Sequence, residues 1–353
     1  MNSRLKNIYS RLKQRGLDGL LVSLPANISY LVEFLSRDSY LLVSEKESVY
    51  FTDSRYTEEA KACLKGKIKL KESNGSVFKS IAEVSLRLKL KRLGFEERNL
   101  AFAEFAKIKE LTAGSLELIP TYSIIEDKRV VKDAQEIEKL KQATKITALA
   151  LEHIKKFIAC GIKEIEVAAE FERFIRYHGC NASSFDTIVA SGPNSSQPHH
   201  FSGQRRLRDS EPVLIDFGVD YQGYKSDLTR VLFLGKIKVL VRKVYDIVLK
   251  AQELAIKSVH PGAEMAAIDK VAREYIASKG YAGCFTHNLG HGFGLEVHED
   301  PRISGNEASA VRPGMVFTVE PGIYLPGKFG IRIEDMILVT NKGCEVLSGS
   351  IDK

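Results

Sequence analysis

Three of the chain's eight histidines lie in one glycine-rich stretch. The stretch is THNLGHGFGLEVHED, residues 286–300, and its histidines are His287, His291 and His298. Imidazole binds transition metals and carries protons near neutral pH. Glycines let a backbone approach a bound group closely. We therefore interpret this stretch as part of a metal site, with the glycines bringing the backbone close to the metal.

Paired carboxylates occur in a strand-turn-strand segment, VLIDFGVDYQGYKSDLTRVLFL. Asp216 and Asp227 are equidistant from a turn centred between Tyr221 and Gln222. In a simple antiparallel register they would face one another with Cβ atoms about 5 Å apart. Two aspartates among Val, Leu, Ile and Phe would repel each other in a core, so a positive group is expected between them.

A second segment of the same design is VFTVEPGIYLPGKFGIRIEDMILV, in which Glu320 and Glu334 are equidistant from Gly327. Pro321 favours a bulge that would shift this register by one residue. Four carboxylates and one imidazole suit hard or borderline divalent cations, and their negative charge exceeds that of one ion. The pattern predicts a two-metal hydrolase in which the ions activate a shared water.

The elements that position these residues are expected to form two domains, because 353 residues exceed the usual size of one core. Residues 1–125 alternate helical and strand patterns, which predicts a small α/β domain with a mixed sheet. The second domain is expected over residues 126–353. Asp133, followed by Glu136, predicts a capping box at the start of its first helix. Further helices are predicted over 163–179 and 239–258.

Composition narrows the functional class. The chain is 44% apolar and 27% charged, and its net charge of +7 is spread without a basic block, so we expect no nucleic-acid partner. It has neither a secretory signal pattern nor an apolar run long enough for a membrane span, so we expect a cytoplasmic protein. The five cysteines, without a CxxC pair, are interpreted as buried free thiols in a reducing compartment.

The ordered motifs IDFG, SDLTR, GHGFG, VEPG and RIED resemble those of the pita-bread metallopeptidases, a family that includes methionine aminopeptidase, aminopeptidase P and prolidase. FTDSRY, residues 51–56, resembles part of the creatinase-type N-terminal domain found in the latter two. The resemblance implies an α+β protein. Its C-terminal pita-bread domain, residues 126–353, would follow a smaller α/β creatinase-type N-terminal domain, residues 1–125.

The resemblance also implies roles for individual residues. Asp216 would bind one metal ion, Asp227 and Glu334 would bridge two, and His291 and Glu320 would complete the other. Glu320 would also shuttle a proton. His298 and His199 would be catalytic residues that contact the substrate. His287 and Arg332 would be further residues of the substrate site, Arg332 also orienting the carboxylates around Glu334.

Arg302 is a further candidate, because it lies four residues beyond His298. Its guanidinium could bind the free carboxylate of an Xaa-Pro dipeptide through two parallel hydrogen bonds. The alternative is a solvated arginine paired with Glu299 or Asp300.

The resemblance implies an Xaa-Pro aminopeptidase or Xaa-Pro dipeptidase, which removes the residue before proline by means of a metal-bridging hydroxide. Each subunit would hold two divalent ions (Mn, Co, Fe or Zn, with Mn favoured), and the partners would be proline-containing peptides and a second copy in a homodimer. Two alternatives stay open: a methionine aminopeptidase-like enzyme and a metal-free binding protein of the same fold.

Overall fold

The computed structural model describes residues 3–64, 66 and 68–353. The chain divides into two compact units, Met1–Arg129 and Val130–Lys353. This division falls four residues beyond the sequence-based boundary (129 against 125). None of the described helices combines the length and the apolar content that crossing a membrane requires.

The first unit is a mixed sheet with helices. Its strands are β1 Gly19–Val22, β2 Tyr40–Ser44, β3 Val49–Thr52, β4 Lys69–Glu72, β5 Arg92–Glu96 and β6 Glu117–Thr121. Its helices are α1 Ser3–Gln14, α2 Pro25–Val32, α3 Thr57–Leu64, α4 Val77–Arg87, α5 Phe102–Leu111 and α6 Glu126–Arg129. The strand order is β4-β3-β2-β1-β5-β6, with β1 antiparallel to β2 and parallel to β5. The predicted mixed α/β domain is confirmed.

Burial explains why these segments fold as they do. Strand β1, GLLV, is buried at every position, as a central strand covered on both faces must be. On α4, Ile81 and Val84 recur at helical spacing and join Leu21, Leu42 and Phe51 of the sheet in one apolar cluster. Burial of this helical stripe therefore attaches α4 to the sheet.

The second unit contains the residues predicted to do chemistry. Its helices are α7 Ala134–Phe157, α8 Glu164–Tyr177, α9 Val239–Lys257 and α10 Met265–Ile276, with a 3₁₀ turn at Gly192–Ser196 and a π-helical turn at Ala277–Tyr281. Its strands are β7 Ala182–Ser183, β8 Ile188–Ser191, β9 Pro212–Phe217, β10 Val219–Tyr221, β11 Tyr224–Lys225, β12 Leu228–Phe233, β13 Gly290–Gly292, β14 Glu299–Ile303, β15 Val316–Val319, β16 Gly322–Leu325, β17 Phe329–Arg332, β18 Asp335–Val339 and β19 Cys344–Val346. The expected α+β content and the helices α8 and α9 are confirmed.

Helix α7 begins as its sequence predicts. The Asp133 side chain accepts hydrogen bonds from the backbone N–H groups of Gln135 and Glu136, and the Glu136 carboxylate accepts one from the Asp133 N–H. This reciprocal pairing satisfies backbone donors that the first turn of a helix leaves without an intrahelical partner.

Two apolar clusters support the strands of the second unit. In one, Leu140 and Phe171 of α7 and α8 pack with Ile215 and Phe217 of β9. In the other, α9 and α10 pack with the strands around Phe317 and Ile337. Asp216 lies between members of the first cluster, whereas Glu320 and Glu334 each follow a member of the second, Val319 and Ile333. The carboxylates are thus placed by buried neighbours on the same strands.

All five cysteines are free, as expected. Cys180 is buried, Cys284 and Cys344 are partly buried, and Cys63 and Cys160 are exposed. The expectation that all the thiols are buried is therefore wrong for these two.

Candidate active site

Asp216 and Asp227 lie on the first predicted hairpin, but not directly opposite each other. Asp216 on β9 pairs with Thr229 on β12, and Asp227 comes just before β12. The turn is centred between Gln222 and Gly223, one residue later than predicted, because Tyr221 pairs with Tyr224. Asp227 is two residues from Thr229, so by the two-residue period of a strand it shares a face with Asp216. The prediction that Asp216 and Asp227 lie directly opposite each other is wrong. The two side chains nevertheless lie on the same face of the hairpin.

The second hairpin keeps the predicted symmetry about Gly327. Strands β15 and β18 pair Val319 with Asp335, and strands β16 and β17 pair Gly322 with Arg332, without any change of register. Glu320 and Glu334 occupy the interruption between the two pairs of strands. Pro321 coincides with this interruption but does not shift the register, so the expected bulge is absent from the described pairing.

His291 lies on β13, between two glycines that meet neighbouring strands. A Cβ atom on Gly290 would lie 1.9 Å from the Thr318 carbonyl oxygen, and one on Gly292 would lie 2.4 Å from the Asp300 carbonyl oxygen. The glycines therefore permit close strand packing around His291. The interpretation that the glycines also bring the backbone close to a metal stays a prediction.

Three of the predicted ligands converge. One ligand atom from each of Asp227, His291 and Glu334 lies within 4.8 Å of the others. His291 Nε2 is also 3.6 Å from Asp227 Oδ2 and 3.3 Å from Glu320 Oε1. Asp227 and Glu334 are buried, and His291 and Glu320 are largely so.

Three of the four carboxylates accept hydrogen bonds from nearby side chains. Arg332 donates to Asp216 Oδ2 at 2.6 Å, and Thr229 donates to Glu334 Oε2 at 2.7 Å. Thr318 donates to Glu320 Oε1 at 3.0 Å. Such outer contacts fix the orientation of carboxylate ligands. The hydrogen bond from Arg332 to Asp216 is consistent with the predicted role of Arg332 in orienting carboxylates. Direct contact of Arg332 with substrate stays a prediction.

Electrostatics favour a cation at this position. Burial, followed by the charges of the neighbouring carboxylates, raises the pKa of Asp227 and Glu334 well above their usual range. Burial also raises the pKa of Asp216 despite Arg332. Burial opposes ionisation of Glu320 too, but the hydrogen bond and charge of His291 outweigh it and lower the Glu320 pKa to about 2. Like charges this close are stable together only with protons or cations between them.

The residues present fit a divalent metal. Asp216 Oδ1 and Glu334 Oε1 are buried with no hydrogen-bond partner among the described residues, while the second oxygen of each accepts a hydrogen bond. A buried polar atom without a partner indicates a missing ligand. Carboxylate oxygens with one imidazole are a donor set that Mn, Co, Fe and Zn accept.

His298 lies beside the predicted ligands. Its ring centroid is 4.1 Å from that of His291. Burial, and then the charge of His291, lowers the pKa of His298 to about 4. The His298 imidazole is therefore neutral near pH 7 and can donate one hydrogen bond without carrying a charge.

His287 and His199 differ in their surroundings. His287 Nε2 is 2.9 Å from the Tyr324 hydroxyl, which accepts a hydrogen bond from Arg332 at 2.8 Å. Burial lowers the pKa of His287. His199 is exposed and is close enough to His298 and His287 to influence both electrostatically. The structure thus places His199 near the other histidines without a fixed partner of its own in the hydrogen bonds described.

Arg302 lies opposite His291, as its partner in the β13–β14 pairing. It is exposed, and no carboxylate among the described residues forms an ion pair with it. Glu299, one of the two acids considered as its partner, is instead paired with Lys132 at 2.7 Å. The exposure of Arg302 agrees with the solvated alternative, whereas the pairing expected in that alternative is not among the ion pairs of the described residues.

Sequence reasoning missed three residues that contact this group. They are Thr229, Thr318 and Tyr324. Thr229 lies within the SDLTR motif, and Tyr324 lies in the short segment between Glu320 and Glu334. The two threonines could have been found from the alternation of side chains along a strand, since residues two apart share a face. Thr229 is two residues from Asp227, and Thr318 is two residues from Glu320.

Fold and site together define a metal-dependent hydrolase built on two carboxylate hairpins. The model for "Metallopeptidase family M24" matches residues 138–341, and the model for "Creatinase/Prolidase N-terminal domain" matches residues 4–131. An Xaa-Pro dipeptidase from Pyrococcus horikoshii is 36% identical over 353 residues, covering 99% of this chain and 97% of that protein.

Solved structures agree in fold. An Xaa-Pro dipeptidase from Bacillus anthracis has a TM-score of 0.95 at 37% identity, over 99% of this chain and 98% of that one. An X-Pro aminopeptidase from Thermotoga maritima has a TM-score of 0.88 at 38% identity, over 96% and 97%. The chain belongs to metallopeptidase family M24, with a creatinase-type N-terminal domain before the pita-bread domain.

Proposed function

We propose that the protein is an Xaa-Pro peptidase with two divalent ions in each subunit. Asp216 would be a ligand of one ion, His291 and Glu320 would be ligands of the other, and Asp227 and Glu334 would be ligands of both. The convergence of Asp227, His291 and Glu334 within 4.8 Å carries this proposal. The unpartnered oxygens of Asp216 and Glu334 support it. When bound, divalent ions supply an activated water and polarise the scissile carbonyl.

The chain's own residues would handle the proton and the developing charge. The Glu320 carboxylate lies beside His291, and it would accept a proton from water and return it to the leaving amine. His298 is neutral and adjacent to His291. It would donate a hydrogen bond to the carbonyl oxygen as negative charge develops there. His199 would hold the substrate from the segment preceding β9.

Proline in the second position requires a site that does not depend on an N–H group, because the bond before proline has none. Specificity must therefore come from the shape of the pocket and from charges at the ends of the substrate. Arg302, exposed and without a carboxylate partner among the described residues, would bind the carboxylate of an Xaa-Pro dipeptide. His287 and Arg332 complete the proposed substrate site.

We favour manganese as the metal. We also propose that the protein is a homodimer and that it is cytoplasmic. Free thiols suit a reducing compartment. The relatives from Pyrococcus horikoshii and Bacillus anthracis are named as Xaa-Pro dipeptidases, and the one from Thermotoga maritima as an X-Pro aminopeptidase. The substrate panel therefore needs both a dipeptide and a tripeptide with proline in the second position.

The deciding experiment removes all metal with a chelator and restores Mn, Co, Fe or Zn separately. Each preparation is assayed on Ala-Pro, Ala-Pro-Ala, Ala-Ala-Ala and Met-Ala-Ser. We expect cleavage of the proline peptides only after metal is restored, and fastest with Mn. Full activity without metal would reject the mechanism. Preference for Met-Ala-Ser would favour the methionine aminopeptidase alternative.

A further inference from the structure

A buried carboxylate outside the metal centre holds the segment that carries His199. Glu164 is the first residue of α8, and it is completely buried. Both of its oxygens accept hydrogen bonds. The donors are the N–H of Ser191 at 2.8 Å, the Ser191 hydroxyl at 2.7 Å, Asn194 Nδ2 at 3.1 Å, His200 Nε2 at 2.9 Å and the N–H of Gly203 at 3.4 Å.

These donors all belong to one stretch, residues 191–203. The stretch begins at the end of β8, passes through the 3₁₀ turn and includes His199 next to His200. A helix N-terminus attracts a carboxylate, but the side-chain hydrogen bonds of Glu164 come from this stretch and not from the first turn of α8. The Glu164 carboxylate therefore holds residues 191–203 in place and does not cap α8.

The same stretch is also hydrogen-bonded to the second hairpin, which carries Glu320 and Glu334. The Gly330 N–H donates to the Ser195 hydroxyl at 2.8 Å. Arg332 donates to the Pro198 carbonyl at 3.4 Å while its other nitrogen binds Asp216. Residues 191–203 are thus held between Glu164 and the hairpin that supports the metal ligands.

We propose that Glu164 and His200 are positioning residues, which act through His199 by fixing the backbone on which it stands. The proposal rests on the substrate-binding role proposed above for His199. His199 has an exposed side chain, so its position depends on its backbone. Directional hydrogen bonds to a buried carboxylate fix that backbone more closely than apolar contacts would, because each donor would be left unsatisfied by a shift.

The test is a double-mutant cycle between Glu164→Gln and His199→Ala. The amide of Gln replaces one of the two accepting oxygens of Glu164 by an N–H donor, so the segment loses part of its anchor without a change in side-chain size. We expect kcat/KM for Ala-Pro to fall roughly tenfold or more with bound metal unchanged. The division of the loss between KM and kcat should match that of His199→Ala. In the His199→Ala background, Glu164→Gln should change kcat/KM by less than about twofold.

A control on the same helix is Glu170→Gln. Glu170 also pairs with a histidine, His153, and with Arg173, but it lies outside the network around residues 191–203. Its removal should leave the kinetics unchanged. If Glu164→Gln does not fold, His200→Ala removes one donor only and enters the same cycle, with a smaller loss of the same kind.

Several outcomes would overturn the proposal. They are additive losses in the cycle, loss of metal in parallel with activity, and unchanged kinetics in Glu164→Gln. Hydrogen exchange gives a readout that does not depend on the reaction. Amides of 191–203 should exchange faster in Glu164→Gln, whereas those of 286–300 should not. Unchanged exchange would reject the positioning role even if Xaa-Pro activity is present. Faster exchange in a protein without that activity would reject the proposed function alone.

Discussion

At the scale of single residues, two carboxylates of the proposed metal centre use their two oxygens differently. Asp216 accepts from Arg332 through Oδ2 and leaves Oδ1 without a partner, and Glu334 accepts from Thr229 through Oε2 and leaves Oε1 without one. The bonded oxygen fixes the side chain, while the other remains available to a cation. Because a hydrogen-bonded outer partner limits rotation of a carboxylate, these side chains would already be oriented for the proposed metal.

Replacement of His298 by Ala tests the separation between metal ligands and substrate-binding histidines. Bound metal should be unchanged, and kcat for Ala-Pro should fall by about a hundredfold, because a transition-state donor is typically worth about 3 kcal/mol. Metal content and steady-state kinetics on the same preparation provide the measurement. His291→Ala serves as the comparison and should lose metal. Loss of metal from the His298 variant would instead make His298 a ligand.

Arg302→Ala tests preference for dipeptides. An arginine that binds the free carboxylate of Ala-Pro contributes about 1.5 to 3 kcal/mol, so KM for Ala-Pro should rise about tenfold or more. Ala-Pro-Ala carries its carboxylate one residue further away, so its KM should hardly change. Arg302→Lys should recover part of the affinity, since it keeps the charge but not the paired N–H groups. Equal effects on both peptides would favour an enzyme for longer peptides.

At the scale of elements, the two hairpins explain what could be read from the sequence. The second hairpin was located correctly because its strands pair symmetrically about Gly327. In the first, the turn lies at Gln222 and Gly223, whose φ angles are 52° and 87°. Two positive φ angles are the signature of a type I′ hairpin turn, which favours glycine. Turn chemistry would have given the right register, whereas symmetry between two aspartates did not.

Other features could not be predicted from spacing. The Asp133–Glu136 capping box is local, so it was predictable. The contacts of Arg332 with Asp216 and of Glu164 with His200 join residues far apart in sequence. Such contacts depend on how separate elements pack, and no single periodicity encodes them. The proposed metal ligands could be picked out because each belongs to a short motif, while most of the residues that hydrogen-bond to them were missed.

Gly290→Ala tests whether close strand packing places His291. The new Cβ atom would lie 1.9 Å from the Thr318 carbonyl oxygen, so β13 and β15 must move apart. We expect a loss of about 2 kcal/mol or more in the free energy of unfolding, with weaker metal binding. Chemical denaturation and metal titration would measure the two effects. Gly343→Ala is the matched control, because its Cβ atom would meet nothing within 4 Å. Equal stability of the two variants would contradict the packing argument.

At the scale of the whole molecule, the proposed homodimer can be tested in solution. The proposed homodimer would have the closed two-fold symmetry that is commonest among oligomers. Light scattering at micromolar concentration should give twice the mass of the 353-residue chain. The measurement should be repeated after chelation, so that an effect of metal on assembly is separated from assembly itself. A monomer in both conditions would refute the dimer.

Metal ions and protons compete for the buried carboxylates, so the stability of the molecule should depend on both. The pKa values of Asp227 and Glu334 are raised by burial and by neighbouring carboxylates. A group of this kind stabilises the metal-free fold fully below its unfolded pKa and loses that contribution as pH rises through its folded pKa. Glu320 behaves oppositely, and its contribution disappears only as pH falls towards about 2.

The metal-free protein should therefore become less stable as pH rises towards neutrality, while bound ions replace the lost protons. The increase in Tm caused by saturating Mn should grow from about pH 5 to about pH 8, because fewer protons must leave when the metal binds. Differential scanning fluorimetry of chelated and Mn-loaded samples at each pH would measure it. Asp227→Asn removes one titrating group, so the growth of this increase with pH should be weaker in that variant. An increase in Tm that is constant or shrinks as pH rises would show that proton release from these carboxylates does not accompany metal binding.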